Sequence, residues 1–342
     1  MKKSLLLAFM LMIAANLFAQ QQMATLNHND TITVFYGYYA LKDAHNAAVA
    51  GDIVTLSPGT FEKCDITKPI TLRGAGATID TIAGTYPTVI AGYFKLEIPK
   101  HTEYYLVMEG VFVSERVDMY NLYNAKFNRC YINNINYGGS NSSHEIISED
   151  IEFVQCMIRE IYGSKYISST SYFTFVNCAL YWKENSYEVP STFINSQLIM
   201  GSNMYFSKST AYNSVITRTS SSSCFYQNAN AFNNIFIRNG YSSNILHNTT
   251  NNTNVTYNNL NEVFETWHSC TFSNFSFDER YILKEEIATS FLGSDGTEVG
   301  IHGGMFPFDT RPSYMVVKKC NVANKSTIDG KLSVDIEVMV EE

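Results

Sequence analysis

The sequence repeats one short phrase, and this repeat constrains the fold more than any other feature. Its clearest copy is Phe-Val-Asn-Cys-Ala-Leu at 175–180, an apolar run interrupted by one polar step. The six copies begin at 127, 153, 175, 193, 211 and 231, so successive intervals are 26, 22, 18, 18 and 20 residues. A period near 20 residues with variable insertions is typical of a solenoid, in which each repeat stacks on the next.

The phrase also indicates which kind of solenoid forms. A β-branched or aromatic run broken by Asn is typical of strand, tight turn and strand, and the interval leaves no room for a helix. Stacking at about 4.8 Å places equivalent residues in columns, with Asn at the turn and Cys or Ser beside it. We expect the Asn column to hydrogen-bond along the stack. We expect Cys130, Cys156 and Cys178, which share one column, to be free buried thiols rather than disulfides.

The N-terminal region contains an export signal followed by a predicted helix. Residues 1–19 have a basic start, a short apolar run and Leu-Phe-Ala before Gln20, which predicts a signal peptide cleaved after Ala19. No Cys follows that site, so no lipid anchor is expected. Residues 38–50 are Ala-rich with apolar residues at helical spacing. We expect this helix to cover the open end of the solenoid.

Two segments after this helix carry a family resemblance. Residues 51–61 read Gly-Asp-Ile-Val-Thr-Leu-Ser-Pro-Gly-Thr-Phe, and residues 66–76 read Ile-Thr-Lys-Pro-Ile-Thr-Leu-Arg-Gly-Ala-Gly. With the repeats, they resemble the secreted right-handed parallel β-helix proteins of the pectin lyase-like superfamily, over about residues 38–260. The resemblance implies an all-β, right-handed parallel β-helix, which we place at residues 20–300. It says little about activity, because one fold hosts many functions.

The C-terminal region departs from the repeat. Residues 292–308 are rich in Gly and resemble a terminal segment of exported β-helix proteins of Bacteroidota. Residues 314–318 and 332–340 read as strands. We therefore predict a β-structured cap or appendage over 301–342, with a sorting signal as the alternative.

Composition restricts the partners. The chain has 24 Lys and Arg against 32 Asp and Glu, a net charge of −8, and losing Lys2 and Lys3 with the signal peptide would make it −10. Nucleic acids and anionic membranes recruit basic patches, so both are disfavoured as partners. No stretch approaches the about 18 apolar residues of a membrane span. We expect a secreted, periplasmic or cell-surface protein whose partners are glycans or other neutral or cationic molecules.

An acidic loop is the first candidate site. Polysaccharide-cleaving members of the family use clustered carboxylates, either with Ca²⁺ and a basic residue or as acid and base. By that resemblance, the candidate calcium ligands are Glu145, Glu149, Asp150 and Glu152. The candidate base that would abstract a proton is Arg159 or Lys165. The alternative is a solvated acidic loop that needs no cofactor.

An aromatic patch is the second candidate site. The repeat phase places Tyr181, Trp182, Tyr187, Arg218 and Arg238 along one side, and aromatic faces with guanidinium donors suit sugar rings and uronates. Alternatively, Trp182 covers a turn and the two arginines pair with nearby acids.

Three function classes follow from these features. The first is a non-catalytic glycan-binding or cell-surface scaffold protein, the second a polysaccharide lyase or glycoside hydrolase acting on acidic polysaccharide, and the third an adhesin-like structural protein. Met157, Val215 and Ile235 form an apolar outer strip, which we expect to be covered by a loop or by a partner.

Overall fold

A computed structural model describes most of the chain after the predicted signal peptide, which itself lies outside the described residues. The described ranges are 22–80, 84–100, 103–137, 146–163, 167–183, 188–226, 229–247, 250–251, 253–267, 275–309, 315–322 and 334–340. They form a parallel β-solenoid of about nine turns, as the repeat predicts. No helix in these ranges is long and apolar enough to cross a membrane.

Two long sheets run the length of the solenoid. Among the described residues, sheet A has 12 strands: β1 (Met23–His28), β2 (Thr31–Tyr36), β3 (Ile53–Leu56), β5 (Thr71–Arg73), β8 (Leu106–Glu109), β10 (Leu122–Asn128), β12 (Ser148–Val154), β14 (Phe173–Val176), β16 (Ser191–Ile194), β19 (Thr210–Tyr212), β22 (Asn230–Phe232) and β25 (Thr250–Asn251). Sheet B contains β4 (Gly59–Glu62), β6 (Thr88–Ala91), β7 (Phe94–Leu96), β9 (Phe112–Met119), β11 (Tyr131–Tyr137), β13 (Met157–Gly163), β15 (Ala179–Trp182), β17 (Gln197–Met200), β20 (Val215–Arg218), β23 (Ile235–Ile237) and β26 (Val255–Tyr257).

Smaller elements complete the chain. A short parallel sheet, sheet C, contains β18 (Tyr205–Phe206), β21 (Cys224–Tyr226) and β24 (Leu246–His247). The strands β27 (Met315–Val322) and β28 (Val334–Val340) form an antiparallel hairpin, close to the two C-terminal strands that the sequence predicts. The helical elements are α1 (Ala40–Ala47), a 3-10 turn (Leu260–Glu262) and α2 (Glu285–Ser290).

A column of stacked rings fills the interior behind sheet A. Phe127, Phe153, Phe175 and Phe193 are fully buried and occupy the same position of successive turns. Their ring centroids are 4.8, 5.0 and 5.3 Å apart and the ring planes are nearly parallel. The first residue of the repeated phrase is therefore a core residue, and each ring buries its faces against the turns above and below.

The polar step of the phrase is a left-handed turn between sheets A and B. Its φ angles lie between 47° and 53° at Arg129, Gln155, Asn177, Asn195, Asn213 and Asn233. Asn adopts this conformation more readily than other residues that have a Cβ, which explains its recurrence.

The residue after the turn points inward and links the turns. The Cys156 backbone N–H donates to Cys178 Sγ at 3.3 Å, Cys178 N–H to Ser196 Oγ at 3.2 Å, and Ser196 N–H to Ser214 Oγ at 3.1 Å. Side-chain bonding along the stack therefore lies mainly in the Cys and Ser column. In the turn column, where the sequence predicted it, Arg129 Nε donates to Gln155 Oε1 at 2.9 Å. The prediction of free buried thiols is confirmed for Cys130, Cys156 and Cys178, and Cys64 and Cys224 are likewise free and buried.

The side chains of the Asn column instead hold a C-terminal segment, residues 293–308, which we call the strap. Asn177 Nδ2 donates to the Ile301 and Gly303 carbonyls at 2.9 and 2.7 Å. Asn213 Oδ1 accepts from the Ser294 N–H at 2.9 Å. A Cβ on Gly303 would lie 1.6 Å from the Glu298 carbonyl oxygen, so only glycine fits this crossing.

The strap and the residues before it cover the outer face of sheet B. Met157, Val215 and Ile235 are buried there against an apolar cluster contributed by the C-terminal region, which includes Leu260, Val263, Phe264, Ile287, Val299 and Ile301. The apolar outer strip is therefore covered by the chain itself, the first of the two possibilities that the sequence left open.

Helix α1 lies beside the first strands and is anchored by two residues from the following turn. Lys68 Nζ donates to the carbonyls of His45, Asn46 and Ala48 at 2.7, 3.0 and 2.7 Å, so it satisfies the open C-terminal end of the helix. The buried His45 Nε2 accepts from the Thr67 N–H at 3.3 Å. Burial and the nearby Lys68 lower the pKa of His45 to about 4.

Replacing Asn177 by Ala should loosen the strap. The variant loses two buried hydrogen bonds, each contributing about 1 kcal/mol, and we expect faster protease cleavage within 293–308, mapped by mass spectrometry. Asn233→Ala is the matched control, because Asn233 has the same left-handed backbone, with φ 53° against 52° at Asn177, yet lies outside the set of side chains that bond the strap. Equal cleavage in both variants would contradict this assignment.

Acid should destabilise the protein through His45. The unfolded chain takes up a proton near the ordinary pKa of about 6.5, whereas the folded chain does so only near pH 4. The contribution of neutral His45 to the free energy of unfolding is therefore fully present above pH 6.5 and is lost progressively as the pH falls towards 4. Urea titrations across this range should show a smaller loss of unfolding free energy for His45→Gln than for the wild type. Parallel curves would contradict the prediction.

Candidate functional site

The predicted aromatic patch is not an accessible surface. Trp182 is fully buried inside the solenoid, where its ring contacts Phe193 and Phe206 at centroid distances of 6.3 and 5.2 Å. Tyr181 points the opposite way and is buried in the apolar cluster under the C-terminal region. Tyr187 lies outside the described residues. The two neighbouring rings therefore lie on opposite faces of sheet B, and neither is open to a sugar.

One of the two predicted arginines, Arg218, has structural partners instead of a ligand. Arg218 is fully buried, and its guanidinium donates to the carbonyls of Arg238, Tyr241 and Ser243 at 3.1, 2.9 and 2.7 Å. Burial, and then the charge of Arg238, lower the pKa of Arg218. Arg218 thus holds the turn that follows β23, and its partners are carbonyls rather than the acids that the sequence suggested. Arg238 is only partly buried beside it.

The predicted calcium ligands do not come together among the described residues. Glu149 pairs with Lys100 at 2.7 Å, and Glu152 with Lys126 at 2.9 Å. The hydrogen bond from Lys100 lowers the pKa of Glu149. In the described part of the chain, no three His, Cys, Asp or Glu side chains lie close enough to hold a metal ion. Glu145 lies outside the described residues.

The predicted bases do not lie beside these acids either. Arg159 is on β13 in sheet B, whereas the acids are on β12 in sheet A. Lys165 lies outside the described residues. The described residues therefore do not form the lyase arrangement that the family resemblance suggested.

Two of the predicted acids nevertheless line a groove on the outer face of sheet A, which we call the sheet A groove. Its volume is about 520 Å³, and it is lined by Tyr105, Val107, Ala125, Lys126, Asp150, Ile151, Glu152, Tyr172 and Thr174. The groove crosses four consecutive strands of the sheet, β8, β10, β12 and β14. A ligand in it would therefore lie across the turns of the solenoid.

The floor of the groove is one column of outward residues. The strand register aligns Val107, Lys126, Glu152 and Thr174 on successive turns. At the neighbouring kink, Asp150 has a φ of 56°, and Asn124 on the previous turn has a φ of 53°. Short polar side chains tolerate this left-handed conformation. The shared kink bends both strands and places the Asp150 carboxylate at the edge of the floor.

Two tyrosines form the ends of the groove. Tyr105 precedes β8 and is 62% exposed, and Tyr172 precedes β14 and is 38% exposed. Three turns of about 4.8 Å separate these strands, or about 14 Å in total. The Tyr172 hydroxyl is hydrogen-bonded to Thr192 Oγ1, which fixes the direction of the ring. The two rings are therefore spaced for an extended ligand that covers several turns.

The groove carries a small negative charge. Lys126 and Glu152 neutralise each other, with both side chains partly open to solvent, and Asp150 adds one negative charge. Surface ion pairs of this kind contribute little stability, about 0 to 1 kcal/mol. Their donors and acceptors can therefore exchange partners with a polar ligand at low cost.

A polar network on sheet B contains residues that the sequence interpretation missed. The Asp118 carboxylate accepts from Tyr93 Oη at 2.6 Å and Asn136 Nδ2 at 2.9 Å, and lies 3.0 Å from Arg116 Nε. The Arg116 guanidinium also lies 4.3 Å from the centre of the Tyr93 ring. The buried Val117 and Met119 flank Asp118 in the sequence, so strict alternation could have revealed its outward direction.

The acids on this part of sheet B are engaged by their own partners. Glu160, two strands away on β13, pairs with Lys183 at 3.0 Å, and both carboxylates are almost fully buried. Each acid is therefore neutralised by a cation and shielded from solvent. A general acid or base needs an accessible carboxyl, so the network is better explained as a structural one.

The sheet A groove is the stronger binding candidate among the described cavities. A cavity of about 560 Å³ near the N-terminal end is lined by uncharged residues, including Ser57, Pro58, Gly59 and Pro87. Another, of about 340 Å³, lies beside the strap and includes Tyr131, Phe277 and His302. The sheet A groove combines exposed aromatic rings with charged hydrogen-bonding groups, as ligand sites commonly do.

Comparison with known proteins adds no assignment to this geometry. No protein-family model, no curated protein and no solved structure matches the chain.

Proposed function

We propose that the protein is an exported, non-catalytic glycan-binding protein and that the sheet A groove holds the glycan. The observation that carries the proposal is the pair of exposed rings, Tyr105 and Tyr172, at the two ends of a polar groove. Export rests on the N-terminal signal pattern of residues 1–19.

The groove offers both kinds of contact that a sugar needs. The faces of the tyrosine rings can cover the apolar C–H faces of pyranose rings, and their hydroxyls can hydrogen-bond at the rim. Between them, Lys126 provides donors, Glu152 and Asp150 provide acceptors, and Thr174 provides both. This arrangement of two rings with polar groups between them supports an oligosaccharide as the ligand, because a single sugar would reach only one of the two rings.

Charge narrows the class of glycan. With Lys126 paired to Glu152, Asp150 leaves the groove with a net charge near −1, and the whole chain carries −8. A polyuronate would meet like charge in the groove and across the surface. We therefore propose a neutral glycan or one that contains amino sugars.

An enzyme acting on polysaccharide is the second candidate, favoured by one observation. Asp150 and Glu152 line the same groove as Lys126, a carboxylate pair beside a base. Against it, Lys126 is an ammonium paired with Glu152 at 2.9 Å, and an ammonium must first lose a proton before its amine can act as a base.

Alanine substitutions of the two tyrosines should weaken glycan binding. Each of Tyr105→Ala and Tyr172→Ala removes one stacking platform, with an expected loss of about 1 kcal/mol or a roughly fivefold weaker dissociation constant. Calorimetry with neutral and amino-sugar oligosaccharides, chosen from a glycan panel, measures the change. Tyr205→Ala, an exposed tyrosine in sheet C, is the matched control and should bind as the wild type.

Two results would overturn the proposal. One is unchanged binding in both tyrosine variants, which would remove the groove as the site. The other is the appearance of unsaturated or shortened products when the protein is incubated with polysaccharides, with and without Ca²⁺, which would establish catalysis.

A further inference from the structure

The first hairpin leaves an unprotected strand at one end of sheet A. Strand β2 pairs with β1 in antiparallel register, Val34 opposite Thr25, and is the last strand in the order of the sheet. In the described part of the chain, no strand pairs with its other edge. Its outer backbone N–H and C=O groups are therefore available to another strand.

The side chains of β2 lack the features that normally protect an edge. The strand reads Thr-Ile-Thr-Val-Phe-Tyr, without Lys, Glu, Pro or a bulge. Ile32, Val34 and Tyr36 share one face and are 65%, 38% and 61% exposed. Natural edge strands are usually blocked by charge, proline or irregular geometry, and an apolar, regular edge invites pairing.

We propose that β2 pairs antiparallel with β2 of a second copy of this chain, about a two-fold axis at Val34. Such an axis is perpendicular to the joined sheets and keeps each residue on the same face in both copies. Even-numbered residues must then lie opposite even-numbered residues of the second copy, and odd-numbered residues opposite odd-numbered ones. Centred on Val34, Ile32 faces Tyr36 of the second copy, and all three exposed apolar residues meet an apolar partner.

Charge agrees with this register. Strand β2 contains no charged residue, and Asp30, which precedes it, lies in the hairpin turn outside the paired segment, so no carboxylates face each other across the junction. Aromatic and β-branched residues are favourable cross-strand neighbours, and the Ile32–Tyr36 pair occurs twice by symmetry. The axis would join two sheets of 12 strands into one continuous sheet.

The size of the contact limits its strength. A junction of two six-residue strands is smaller than the about 1,200 Å² of stable protein complexes. We therefore expect a dimer that forms in a concentration-dependent manner. The inference is independent of glycan binding, since the sheet A groove begins at β8, and β1, β3 and β5 lie between β8 and β2 in the sheet.

Sedimentation of the signal-free protein over a range of concentrations tests the pairing. The wild type should approach twice the monomer mass as its concentration rises. Val34→Lys places two ammonium groups face to face on the axis, whereas in the monomer that side chain is open to solvent, so this variant should stay monomeric and folded. Ile79→Lys, an exposed apolar residue outside the strand, is the matched control and should dimerise as the wild type.

Cysteine cross-linking tests the register. Val34→Cys should give a disulfide-linked dimer under mild oxidation, because opposite residues of paired strands lie within the Cα separation of disulfides, about 4.4–6.8 Å. Thr33→Cys should not, since Thr33 lies opposite Phe35 of the second copy. A wild type that stays monomeric at every concentration, or a cross-link at Thr33 and not at Val34, would overturn the proposal.

Discussion

The structure depends on how each turn of the solenoid satisfies one backbone N–H. The left-handed residue ends a strand of sheet A, and the next residue turns into the interior, where its N–H has no strand to bond. In the turn at Asn177, that N–H belongs to Cys178 and donates to Ser196 Oγ of the following turn at 3.2 Å. Leaving it unpaired would cost about 1–3 kcal/mol at every turn. The column must therefore hold a small side chain with an acceptor, which explains why Cys, Ser and Asn share it.

The same turn makes a second set of bonds on the outside. The backbone N–H of Asn177 bonds within the stack, so the side-chain amide is free to donate to the strap carbonyls of Ile301 and Gly303. A column of such side chains is a ready anchor for a segment running along the stack. This anchoring lets the outer face of sheet B be apolar, because the strap covers it. The left-handed Asn residue thus both forms the turn and anchors the segment that covers sheet B.

The sequence was sufficient for the parallel β-solenoid and misleading for the aromatic site, and one parity rule explains both. Leu180 and Trp182 are alternate residues of β15, and Cys178 continues the same alternation immediately before it, so all three point inward and are fully buried. Met200 and Arg218 lie four positions after the inward Ser196 and Ser214, and an even number of steps along a straight strand leads back to the interior. Glu160, four positions after Cys156, breaks this alternation because β13 has a register shift between Ile158 and Ile161.

The sheet A groove could not be predicted from the sequence, for a different reason. Tyr105 and Tyr172 lie outside the repeated phrase, and 67 residues separate them in the chain. Their relation depends on how many turns intervene, which the irregular intervals before residue 153 conceal. Asp150 lies at a left-handed kink shared with Asn124, so the feature that shapes the groove is a second, shorter column of turns within β10 and β12. This short column is not part of the repeated phrase, whose left-handed residue lies between sheets A and B, so the phrase gives no indication of it.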